Sequence, residues 1–110
     1  MATIRNLFID GGTTYSNIIS VSGSTGAALD LTGYTVASQM RKSYSSSIAY
    51  NFTTSIYDAI QGKIRLQLTN TQTEQIPAGR WLYDVEITSP SGVRTRVLEG
   101  IVTVTPEVTK

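Results

Sequence analysis

The chain has 110 residues, nine basic and eight acidic, with a formal net charge of +1 and neither cysteine nor histidine. That length suits one domain over 1–110, and the composition removes disulfides, thiolate nucleophiles, the soft ligands of structural zinc and the usual general base. Basic residues scattered from Arg5 to Lys110 make no nucleic-acid footprint, the apolar runs are too short to span a bilayer, and the first residues lack the pattern of a signal peptide. The expectation is a protein made in the cytoplasm, with no cofactor, no nucleic-acid partner and no membrane partner.

Residues 1–9 carry Ile4, Leu7, Phe8 and Ile9, more apolar surface than a free tail keeps. They read as the first strand of the fold or as an arm that adds to a neighbour's sheet. Period-two alternation then marks strands at 3–9, 13–21, 34–42, 48–56, 63–69, 80–88 and 93–104. The segments between them are turn-forming: Asp10-Gly11-Gly12, Ser22-Gly23-Ser24, Leu31-Thr32-Gly33, Gln61-Gly62 and Ser89-Pro90-Ser91-Gly92. About seven short strands with such turns predict an all-β, antiparallel sandwich of immunoglobulin-like character.

Within 48–56 the alternation turns Ile48, Tyr50, Phe52 and Ile56 inward, and within 63–69 it turns Ile64, Leu66 and Leu68 inward. One helical turn is expected at 71–75, with Thr71 as cap, Glu74 completing a capping box and Pro77 as the stop. The loop Ser43-Tyr44-Ser45-Ser46-Ser47 sets one tyrosine among serines, the composition of an adaptable contact loop, so Tyr44 is a candidate interaction residue.

In Pro77-Ala78-Gly79-Arg80-Trp81-Leu82-Tyr83-Asp84-Val85-Glu86-Ile87-Thr88 the only tryptophan falls on the parity of Tyr83, Val85 and Ile87. Asp84 and Glu86 share the opposite face about 7 Å apart, a spacing compatible with acid and base work on a glycosidic bond. A hairpin across Ser89-Pro90-Ser91-Gly92 offers the simpler reading. It places Glu86 opposite Arg96, Thr88 opposite Arg94 and Val85 opposite Val97, so the acids set register on a wet face. The phase of the last strand changes near Gly100, which marks Gly100 as a bulge. Pro106 ends its ladder and leaves 105–110 as a short tail. Asp10, Asp30 and Asp58 sit in or beside turns, and none of them belongs to a loop with the ligand count calcium requires. Asn51-Phe52-Thr53 matches the glycosylation sequon by chance in a chain without a secretory signal.

Four ordered blocks carry a resemblance. They are Asp30-Leu31-Thr32-Gly33-Tyr34-Thr35 followed by Gln39-Met40-Arg41; Gly62-Lys63-Ile64-Arg65-Leu66-Gln67-Leu68-Thr69; the Pro77 to Glu86 segment; and Glu99-Gly100-Ile101-Val102-Thr103-Val104-Thr105-Pro106-Glu107-Val108-Thr109-Lys110. Together they resemble a family of small tailed-phage virion proteins and are similar to the amino-terminal domain of phage baseplate upper proteins. The resemblance runs from Asp10 to the last residue. It implies a β-sandwich in a virion that docks receptor-binding or fibre parts onto the tail, with other virion proteins and copies of itself as partners. Two other roles stay open: a decoration protein cementing the capsid, and a host-glycan protein acting through Trp81, Tyr83 and the acids. Trp81 separates the structural roles from the last, because a sugar platform needs the indole exposed.

Overall fold

The alternating segments become strands in the computed structural model, which describes residues 3–23 and 26–108. In chain order these are β1 (Thr3–Ile4), β2 (Leu7–Asp10), β3 (Tyr15–Ser20), β4 (Thr35–Arg41), β5 (Ala49–Asn51), β6 (Thr53–Asp58), β7 (Lys63–Leu68), β8 (Gly79–Thr88) and β9 (Arg94–Thr105). One short helix, α1 (Asn70–Gln75), lies between β7 and β8. Residues 1–2 of the proposed arm, 109–110 of the tail, and Ser24 in its turn lie outside the described residues.

A six-stranded sheet runs β1-β9-β8-β4-β5, with β2 also on β9, and a three-stranded sheet runs β3-β7-β6. The large sheet is mixed, which corrects the purely antiparallel expectation: β1 and β2 run parallel to β9, whereas the small sheet is antiparallel throughout. The first and last strands are neighbours joined by no hairpin, so no tight turn forces them to oppose. Residues 3–10 therefore lie in the chain's own sheet. Their inward side chains, Leu7 and Ile9, are buried, whereas Ile4 and Phe8 are 74% and 70% exposed.

Two expected strands are broken. The first is interrupted at Arg5-Asn6, between β1 and β2. The fourth divides at Phe52, because β5 pairs with β4 in the large sheet while β6 pairs with β7 in the small one. At the crossing, Phe52 N–H donates to Ser38 O (3.0 Å) and the Thr54 hydroxyl donates to Val36 O (2.9 Å), so no ladder end is left bare there. The Phe52 ring enters the core between Tyr15 (centroids 6.1 Å) and Tyr83 (6.4 Å). Ile48, expected inward, is 63% exposed. It precedes β5, and its N–H bonds the Ser46 hydroxyl at 3.2 Å instead of joining the ladder.

Helix α1 starts earlier than expected, and its capping box uses Thr69 and Gln72 in place of Thr71 and Glu74. Gln72 N–H donates to Thr69 Oγ1 (3.2 Å), and Thr69 N–H donates to Gln72 Oε1 (2.8 Å). The cap needs extended backbone, and Thr69 has it as the chain leaves β7. Ile76 is again extended, as a residue before proline must be. Thr73 is fully buried and donates to Thr13 O at 2.7 Å, which ties the helix to the β2–β3 turn.

The core between the sheets takes Ile64, Leu66 and Leu68 from β7 and Trp81, Tyr83, Val85 and Ile87 from β8, as their alternation requires. Met40, Leu98, Val102 and Val104 complete that face, and Ile19 and Leu31 close it from the small sheet's side. With these side chains inside, the opposite parity of β8 and β9 forms an open outer face.

Candidate interaction surface

That outer face is organised by the β8–β9 hairpin. Ser89 N–H donates to Val93 O (2.8 Å), Val93 N–H donates to Ser89 Oγ (3.0 Å), and Gly92 takes the positive φ the turn needs (92°). The turn sets Thr88 opposite Arg94 and Glu86 opposite Arg96, as the hairpin reading expects. Beyond that point the register shifts, and Val85 meets Leu98, not Val97. The irregularity falls at Val97 and not at Gly100, which pairs regularly with Tyr83.

Gly100 has a different task. A Cβ there would overlap the Arg5 carbonyl, where the break between β1 and β2 presses against β9. Three bonds fix this approach. Arg5 N–H donates to Glu99 O (2.9 Å), Ile101 N–H donates to Asn6 Oδ1 (3.1 Å), and the Tyr83 hydroxyl donates to Arg5 O. Burial pushes the Tyr83 phenol up to about 12, helped by the neighbouring Tyr15 hydroxyl. Tyr83 is thus an internal strut.

The register also redirects Arg96. Its cross-strand neighbour is Glu86, yet its guanidinium reaches Asp84 (Nε to Oδ2, 3.4 Å) and Glu99 (Nη1 to Oε2, 3.4 Å). The shift at Val97 carries Glu99 directly opposite Asp84 and leaves Arg96 to span the two acids. Partial burial holds the Asp84 carboxyl above its ordinary range, and Glu86 and Glu99 add repulsion that Arg96 and Arg41 only partly offset. Arg96 is itself raised, first by its bond to Glu99 and then by Asp84.

Tyr44 is 81% exposed and stands at the rim of a depression of about 270 Å³ bordered by Gln39, Arg41, Leu82, Asp84 and Glu99. Its loop is tied to the sheet by Arg41, which donates to Ser46 O (2.6 Å) and to Gln39 Oε1 (3.1 Å). Trp81 takes no part in this surface. It is 3% exposed, donates its indole N–H to Pro77 O (3.0 Å), meets the Tyr50 ring edge-on (5.4 Å) and lies under the Lys42 ammonium (4.8 Å).

Asp10 Oδ1 accepts from Thr105 Oγ1 (3.0 Å), whereas Asp30 and Asp58 serve their own turns. Asp30 accepts from Thr32 N–H (3.0 Å) and Thr32 Oγ1 (2.6 Å), bonds that hold its carboxyl below the usual range. Asp58 accepts from Gln61 N–H (3.2 Å). Among the described residues no group of three His, Cys, Asp or Glu side chains is placed to hold a metal.

Sequence reading does not find a cleft of about 850 Å³, which opens where the end of β3 faces the start of β9. Ile18, Tyr34, Val93 and Val97 line it, from segments far apart in the chain, and no local pattern announces such a meeting. It also misses the pairing of Asn6 with Ile101.

No protein-family model matches the chain, and no curated protein matches it. Among solved structures the chain is similar to an internalin-like protein of Listeria monocytogenes, with 14% sequence identity and a TM-score of 0.47 over 94% of this chain. The chain spans 28% of that protein's length.

Proposed function

We propose that this chain is a non-enzymatic structural protein of a bacteriophage virion, an assembly and adaptor module of the tail or baseplate, built on an immunoglobulin-like sandwich. The observation that carries the reading is the placement of the β8 side chains. Trp81 and Tyr83, which a sugar platform needs at the surface, are in the core, while Asp84 shares Arg96 with Glu99 on an open sheet. Nothing in that arrangement activates a nucleophile or water, so the acids act as register and solubility elements. The strand order supports the immunoglobulin-like assignment: β3-β7-β6 occupies the B, E and D places, and β9-β8-β4-β5 the G, F, C and C′ places. The parallel β2 beside β9 is compatible with that plan. The four blocks similar to baseplate upper proteins supply the virion assignment.

The test is the particle itself. Mass spectrometry of purified phage particles is expected to find the chain as a stoichiometric component, with density that follows the symmetry of the tail. Density on the capsid lattice replaces the tail role by decoration. Absence from the particle, or specific glycan binding by the isolated chain, overturns the reading.

A further inference from the structure

The large sheet is bare along one stretch of β9. That strand begins at Arg94, but β1 joins its edge only from Thr3, opposite Leu98, so among the described residues no strand lies beside residues 94–97 on the side away from β8. Val93 O accepts from Ser89 N–H on the β8 side. Backbone groups of successive strand residues point to opposite sides, so Arg94 and Arg96, ahead of the shift at Val97, direct N–H and C=O to the bare edge. Their neighbours Thr95 and Val97 face inward, where they line the cleft of about 850 Å³ whose far wall is the end of β3. A bare edge beside an unfilled cleft suits strand addition, in which main-chain bonds hold the incoming segment and pockets receive its alternate side chains.

The chemistry of the walls selects the segment. Ile18, Val21, Leu29 and Val97 make them apolar, and among the described residues the charged groups of the lining are Arg5 and Arg96, with no acid. Arg96 is held by Asp84 and Glu99 on the outer face. Arg5 in the cleft and Arg94 on the outer face have no carboxylate within ion-pairing distance among the described residues. We infer that this corner accepts an extended segment of a different protein, in which apolar side chains alternate with carboxylates, as a strand that continues the β1 line along residues 94–96. Its apolar side chains enter the cleft beside Val97 and Ile18, its carboxylates stand beside Arg94, and Arg5 adds attraction from within. A second copy has no free segment of this kind among its described residues. The acid-bearing strands β2, β6, β8 and β9 already turn their apolar side chains into their own core, and the Glu107 carboxylate packs against Gly12. The inference rests on the adaptor reading for its purpose and names the chemistry of the partner.

Two capped nonapeptides test it, one alternating valine with glutamate and one alternating valine with lysine. In NMR titrations of the full isotopically labelled chain, the glutamate peptide is expected to bind with a Kd below about 1 mM. It is expected to shift the amides of residues 93–98 and 20–23 and to slow hydrogen exchange at Arg94. The lysine peptide is expected to bind at least about fivefold more weakly. Arg94→Glu, at an exposed position, keeps the melting of a folded chain and reverses the preference. No saturable binding of the glutamate peptide up to about 5 mM, shifts confined to the β5 or β6 edge, or equal affinity for the two peptides overturns the inference. So does self-association of the wild type that protects residues 94–97, because the occupant is then a second copy. The titrations use no particles, so their failure leaves the virion assignment untouched, and absence from particles leaves the peptide result standing.

Discussion

Trp81 is buried and touches Tyr50, Lys42 and the Pro77 carbonyl. Trp81→Ala is expected to cost about 3–5 kcal/mol, because the surrounding rings cannot collapse into the cavity. Thermal melting measures the loss, and blue-shifted indole emission from the native wild type checks the burial. Gly100→Ala is expected to cost about 1–3 kcal/mol by driving a methyl group into the Arg5 carbonyl; a variant that melts with wild type removes the close-approach account. For Asp84 the sign follows from its raised folded value. Its protonated form is favoured in the fold, so its stabilising contribution is full below the ordinary aspartate range and is lost as pH rises through the folded value. Asp84→Asn is therefore expected to equal or exceed wild-type stability at pH 7 and to converge with it below about pH 4. Arg96→Ala runs the other way, losing stability at neutral pH and recovering it in acid as its carboxylate neighbours are protonated. Denaturant titrations of both variants across that range decide the matter.

Between β7 and β8, α1 depends on a two-way cap, so Thr69→Ala is expected to cost about 1 kcal/mol and Thr71→Ala almost nothing. Equal effects at both positions in chemical denaturation would return the cap to Thr71. The β1–β2 line contributes Leu7 and Ile9 to the core and the Arg5 carbonyl to Tyr83. Deleting residues 1–9 is therefore expected to lower the melting temperature, unlike removal of an arm that serves only a neighbour.

Asp84→Asn and Glu86→Gln are expected to change no hydrolysis of bacterial surface glycans, because the wild type is expected to have none; measurable turnover lost in either variant defeats the structural assignment. Much of this was legible in the chain. Strand period assigned Trp81, Tyr83, Val85 and Ile87 to the core, turn chemistry placed the hairpin at Ser89 to Gly92, and its length set Glu86 opposite Arg96. These are local facts, determined by side-chain alternation and by the backbone angles that glycine and proline permit. Only the tertiary structure decided that residues 3–10 lie parallel to β9, that the strand around Phe52 changes sheets, that Gly100 makes room for Arg5, and that Arg96 binds Asp84 and Glu99. Each joins segments far apart in sequence or follows from a one-residue register shift. Period two reports which face a side chain takes, and is silent about which strand lies beside it.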